Sequence, residues 1–335
     1  MTVSLQKLRA LRREVGSASV PPPATAGEGR GAASADRRDV GDLLPAPRNL
    51  PSQQTTKPAA QSIEALRRLL GVRARNVVPL LPRGPVDRTL PGIEIAPGLR
   101  LVEAHLPMAT PATALSLGFA TGGKPARQRS GLPGRALPAV VDPRELLFFD
   151  TETTGLAGGT GTRAFMIGAA DFHRHPDRGD GLRVRQLLIA TMAAEADMLR
   201  AFAGWLSPRT VLASYNGRCY DAPLLKTRYR LARQPDPLRE LPHVDLLFPA
   251  RRRWRGRWEN CRLATIEREA LGVARDDDLP GAQAPAAWLG YLRGGGSSLL
   301  RRVCAHNHQD VVTLALLATR LADLHAGDAA RGLTP

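Results

Sequence analysis

From Glu145 onward the chain is built of short apolar runs separated by turn residues, a pattern its first half lacks. The run "ELLFFD" reads as a buried strand, and "AFMIGAADF" and "LRVRQLLIA" read as two more. Glu195 to Leu206 has the apolar spacing of a helix, "TVLASYNG" is a fourth strand, and Asp221 to Ala232 continues as a helix. "HVDLLF" is a short fifth strand or strand end, and Leu263 to Leu271 and Ser298 to His325 are expected to be helices. Three strands in succession, then alternating helices and strands, predict an α/β fold in which helices cover a mixed sheet.

The first half is thinner in such signals. Leu5, Leu8, Leu11 and Val15 suggest one short helix before the Ala/Pro/Gly-rich stretch Ser17 to Gln61, which is expected to be disordered. Ser62 to Arg75 predicts a second short helix, capped by Ser62, with Ile63, Leu66, Leu69 and Leu70 as its apolar stripe. "LPGIEIAPGLRLVEAHL", from Leu90 to Leu106, alternates apolar residues around a Pro-Gly turn and predicts a small β element. Gly122 to Pro143 reads as a linker. The expected organisation is a disordered basic region over 1–61, a small helix/β extension and linker over 62–141, a main domain over 142–325 and a tail over 326–335.

Charge narrows the class of partner. Lys and Arg number 47 against 31 Asp and Glu, a formal charge of +16, which favours a polyanion such as nucleic acid or an acidic surface. Residues 1–145 hold 21 basic and 11 acidic residues, and residues 146–335 hold 26 and 20, so most of the excess lies outside the regular half. Arg far exceeds Lys and Ala is abundant, so part of the bias also fits a GC-rich coding sequence. The three cysteines, Cys219, Cys261 and Cys304, form no CxxC pair and indicate neither a disulfide framework nor a cysteine zinc site. The chain shows no signal-peptide core and no run of about 18 apolar residues, so the expectation is a cytoplasmic protein without a membrane partner.

Three segments carry candidate chemistry. In "LLFFDTETTGLAGGTGT", Asp150 and Glu152 are two apart in a strand and therefore project from one face. Two adjacent carboxylates repel unless protons or cations neutralise them, and oxygen donors suit Mg²⁺ or Mn²⁺. In "SYNGRCYDAPLL", Asp221 stands where a strand ends and a helix begins, which also fits an N-cap, and Asn216-Gly217 fits a turn. In "HNHQDVVTLALL", His306 and Asp310 share a helix face, and His308 does not.

Together with "HVDLLFPARRRW" and "DLPGAQAP", these segments resemble, in order, the motifs of the YprB-type RNase H-like domain family, within the DEDD (DnaQ-like) 3′–5′ exonuclease superfamily. The resemblance runs from about Leu146 to Leu321, and "LPGIEIAPGLRLVE" is similar to the small segment that precedes the domain in that family. It implies an RNase H-like fold and a metal-dependent nuclease holding two ions, Mg²⁺ or Mn²⁺. Asp150 would bridge the ions, Glu152 and Asp310 would complete one site, and Asp221 would support the other. His306 stands near the place of the general base, one residue closer to the last Asp than the branch using His normally has it.

Substrate contacts are expected from Thr153, Thr154, Asn216, Arg251, Arg252 and Trp254. Guanidinium groups contact phosphates and indoles stack on bases, so "ARRRWRGRW" suits a single strand. A basic helix end with Trp254 packed inward is the alternative. The Gly158-Gly159 turn is expected to let backbone groups approach the terminal nucleotide, the alternative being an ordinary β-turn joining two strands. Asp276, Asp277 and Asp278 read as a capped turn. Two other functions share these motifs: a nucleic-acid-binding module with little turnover, and a structure-selective endonuclease.

Overall fold

In a computed structural model, residues 84–111, 114–121, 136–155, 160–275, 279 and 281–333 are described. The expectations for residues 1–83, including the two N-terminal helices and the disordered basic stretch, lie outside these residues, as do those for Gly158, Gly159 and Asp276 to Asp278.

The strands are β1 (Ile93–Ala96), β2 (Leu99–Pro107), β3 (Leu115–Ser116), β4 (Val140–Val141), β5 (Leu146–Thr153), β6 (Ala164–His175), β7 (Gly179–Ile189), β8 (Val211–Ser214) and β9 (His243–Asp245). The helices are α1 (Gly118–Thr121), α2 (Glu195–Ala203), α3 (Asp221–Leu231), α4 (Leu247–Trp254), α5 (Leu263–Ile266), α6 (Ala284–Leu292) and α7 (Ser298–Ala330). Seven strands form one sheet in the order β1-β2-β7-β6-β5-β8-β9. Pairing is antiparallel from β1 to β5 and parallel from β5 through β8 to β9.

Alternation along the strands sends side chains into two cores, one on each face of the sheet. Phe149, Phe165, Ile167, Leu187 and Ile189 join Met198, Leu199 and Phe202 of α2 and Trp288 of α6. Phe148, Phe172, Leu182 and Val184 join Val311, Leu314, Leu317 and Leu321 of α7. The adjacent pair Phe148 and Phe149 thus serves opposite cores, which is why "LLFF" has no polar position. No helix among the described residues is long and apolar enough to cross a membrane.

Four expectations of extent change. The hairpin β1-β2 is not an extension ahead of the main domain: β2 pairs with β7 from Leu99↔Ile189 to Pro107↔Gly181, so it completes the same sheet. The expected linker over 122–143 also includes β4, paired with β3. At the other end, α7 continues beyond the expected stop at His325 to Ala330. The helix expected over Leu263 to Leu271 is α5 followed by one wider π-type turn, Glu267–Leu271, closed by Gly272 at φ 66°.

Candidate active site

Strand β5 has two neighbours only as far as Phe148, which pairs with Ala170 of β6 and Ala213 of β8. Beyond that point the pairing with β8 ends, and β5 runs on beside β6 alone, carrying Asp150 and Glu152 at its carboxyl end. The carboxyl ends of strands are where open α/β sheets place ligand sites.

The four predicted carboxylates meet there. Burial lifts Asp150 well above the usual carboxylate range, and the negative charges of Asp310, Asp221 and Glu152 lift it further. The side chain of Glu152 comes near Cys304 of α7; burial, with that negative charge, pushes the Cys304 thiol up to about 12. Asp221, in the first turn of α3, is raised by burial to about 6, although it accepts a hydrogen bond from the Thr151 hydroxyl. Asp310 is also raised by burial, against the opposing pull of His306 and Arg275.

Asp150, Asp221 and Asp310 are held by groups whose sequence signals were weak. Asn307, fully buried on α7, donates from Nδ2 to Asp150 Oδ2 at 3.0 Å. Gln186 Nε2 fixes Asn307 by donating to its Oδ1 at 2.9 Å and to the Cys304 carbonyl at 2.8 Å. Gly168 of β6 makes room, since a Cβ there would lie 2.0 Å from Asn307 Oδ1. The turn before Asp221 hangs on Asp245, whose carboxylate accepts from the backbone amides of Asn216 (2.7 Å), Leu247 (3.1 Å) and Arg218 (3.2 Å). Asn216 takes φ 66° in that turn, a conformation asparagine tolerates better than most residues.

Arg275 supports Asp310 and His306. Its guanidinium donates to both oxygens of the buried Glu267, at 2.5 and 2.7 Å, and to Asp310 Oδ1. Arg275 Nη1 lies 3.1 Å from His306 Nδ1, and because a guanidinium only donates, Nδ1 accepts. The other ring nitrogen, Nε2, stands 3.4 Å from Asp310 Oδ2. Both nitrogens are therefore engaged inside the cluster, an arrangement that orients His306 and Asp310.

The expected substrate-contacting residues divide. Thr153 Oγ1 donates to the Gly155 carbonyl at 3.0 Å, and Thr154 Oγ1 accepts from the Arg163 amide at 3.0 Å, so both hydroxyls close the β5-β6 connection. Arg251 is exposed on α4. Arg252 is used by the fold, donating to the carbonyls of Phe119 and Ala120. Trp254 is 6% exposed and stacked on Trp258 with ring centroids 5.5 Å apart. The expectation that it stacks on a base does not hold in this arrangement, because the core takes the indole.

An all-oxygen carboxylate set with a surplus of negative charge matches a hard divalent cation. Among the described residues no three His, Cys, Asp or Glu side chains form a ready-made metal cluster. Asp221 has one oxygen engaged by Thr151, and Asp310 has Oδ1 engaged by Arg275 and Oδ2 beside His306 Nε2. The donor chemistry fits; closing the donors on an ion requires side-chain movement.

The sequence pattern of the RNase H superfamily matches residues 147–322. The chain belongs to the RNase H superfamily. It is 36% identical over 190 residues to the uncharacterized protein YprB of Bacillus subtilis (strain 168), an alignment that spans 56% of this chain and 45% of YprB. Less than half of that relative's length is therefore represented. Among solved structures, exonuclease I has a TM-score of 0.30 at 16% identity, covering 55% of this chain and 43% of the enzyme. Exonuclease I of E. coli in complex with a dT13 oligonucleotide has a TM-score of 0.29 at 16% identity, covering 54% and 42%.

Proposed function

We propose that the chain is a divalent-metal-dependent nuclease that hydrolyses phosphodiester bonds of DNA or RNA, acting as a 3′–5′ exonuclease. One observation carries this reading. Asp150 is packed among Glu152, Asp221 and Asp310 at the open end of β5, where three negative charges add to the cost of burying a fourth. Clustered carboxylates facing an anionic backbone give a pure binding module nothing, whereas a cation-dependent hydrolase needs them.

Asp150, Glu152, Asp310 and Asp221 would hold the ions, two of Mg²⁺ or Mn²⁺. When bound, such ions neutralise charge at the attacking and leaving oxygens and supply an activated water. The chain's own residues prepare the site. Asn307 fixes the Asp150 carboxylate, the Asp245 turn fixes the start of α3, and exposed Arg251 offers a phosphate contact.

Purified protein is incubated with end-labelled single-stranded and duplex DNA and RNA in Mg²⁺, Mn²⁺ or EDTA. The expected product is a ladder shortening from the 3′ end, lost in EDTA and in Asp150→Ala and Asp310→Ala variants that stay folded. Internal fragments would indicate an endonuclease, and retention without cleavage a binding module. Near-wild-type turnover of either variant in Mg²⁺ would remove the assigned carboxylates from the site.

A further inference from the structure

Arg275 is the positive side chain most deeply built into the carboxylate cluster. Its partner Glu267 is 1% exposed and also accepts from the Thr313 hydroxyl of α7. A bidentate guanidinium-carboxylate pair of this kind is nearly neutral and rigid, because two parallel hydrogen bonds fix the fork. With Glu267 fixing the fork, the remaining N–H groups act as directed donors, one to Asp310 Oδ1 and one to His306 Nδ1. Asp310 thereby gains an orientation. The unusual turn matters too: Glu267 opens the π-type turn after α5, a backbone irregularity of the sort often found beside functional sites.

We propose that the Glu267–Arg275 pair is a positioning device for the cation site. It holds Asp310 and His306 in register with Asp150, and Arg275 is not a counter-ion that the metal must displace. The inference rests on the metal-dependent reading above. The rival arrangement makes opposite predictions: if Arg275 competed with the cation, its removal would tighten metal binding.

The test is Mn²⁺ affinity of the full-length protein without nucleic acid, by calorimetry or by the electron paramagnetic resonance of free Mn²⁺, alongside steady-state cleavage and melting temperature. Arg275→Ala should weaken Mn²⁺ binding by about 10–100-fold, the usual consequence of losing a group that orients a metal ligand, and lower kcat with little change in KM. Arg275→Lys keeps the charge and loses the fork, so it should recover only a small part of either loss. Because Arg275→Ala strands the buried Glu267, the double variant Arg275→Met/Glu267→Gln removes both charges at similar volume. It should melt near wild type and still bind Mn²⁺ weakly.

Wild-type or tighter Mn²⁺ binding by any folded variant would overturn the proposal, the tighter case identifying Arg275 as a competitor. Failure of both the alanine and the double variant to fold would make the pair purely structural and overturn it as well. Wild-type protein that neither binds Mn²⁺ nor cleaves nucleic acid would overturn the proposed function itself, an outcome distinct from loss confined to the variants.

Discussion

Replacing Asp221 with asparagine should stabilise the metal-free protein at neutral pH, and the gain should fade with acid. Burial raises Asp221 from 3.8 to about 6, and a tenfold change in acidity is worth about 1.4 kcal/mol, so ionising this carboxyl costs the fold about 3 kcal/mol at pH 7.5. A group whose native pKa is raised contributes its stability fully below the unfolded value, near 4, and loses it as pH rises through the folded value, near 6. Asparagine stands in for the neutral acid and still offers an oxygen to the Thr151 hydroxyl. The first turn of α3 favours a negative charge, by about 2 kcal/mol at most in a buried setting, and the net shift is still upward, so burial wins. Wild-type stability alone does not isolate this effect: burial lowers His243 to about 3, and a buried neutral histidine loses stability as pH falls below about 6.5. The difference between variant and wild type removes that opposing contribution. Urea unfolding in EDTA should show Asp221→Asn more stable by about 3 kcal/mol at pH 7.5, on the order of 10 °C in Tm, and by about half as much at pH 5. An advantage constant across pH, or a variant less stable than wild type at pH 7.5, would refute the reasoning.

Gly168→Ala should cost about 1–3 kcal/mol in stability and lower kcat, because its Cβ would lie 2.0 Å from the Asn307 oxygen and displace the residue that holds Asp150; an unchanged melt and rate would show that Asn307 moves freely. Trp254→Ala should destabilise by about 3–5 kcal/mol as a core truncation. Exposed Arg251→Ala should instead leave the urea midpoint almost unchanged and reduce the salt dependence of nucleic-acid binding by about one phosphate contact. Intact stability of the first, or an unchanged salt slope for the second, would count against these placements.

How much of this was legible in the sequence depended on the distance between cause and effect. Asp150 and Glu152 were readable because the period of a strand is local: two positions apart after four apolar residues is enough to put both on one face. The same holds for His306 and Asp310, one helical turn apart. The hairpin β1-β2 was readable as strands, but its partner was not, since the bonds it makes join Leu99 to Ile189 across 90 residues and no local pattern encodes that register. Trp254 misled for a related reason. Interleaved Arg and Trp suit a nucleic-acid surface and an amphipathic helix end equally, and only the packing of α4 against the second core decides between them.

The residues that prepare the site were the least visible, and the reason is physical. A ligand must be acidic and must stand at a strand or helix end, which leaves a trace in spacing. A residue that orients a ligand has only to present one donor from any direction. Arg275 reaches Glu267 eight positions back and Asp310 thirty-five positions on, and in sequence it stands beside three aspartates that look more like chemistry than it does. Asn307 lay inside a segment already singled out, yet its role depends on Gly168 and Gln186 from two other strands. Gly168 was the one readable hint, because a glycine inside a strand with β-branched and aromatic neighbours marks a close approach by another group. Here that group is the amide that sets the direction of Asp150, so the strand gives up a side chain at the point where the site needs one from a helix.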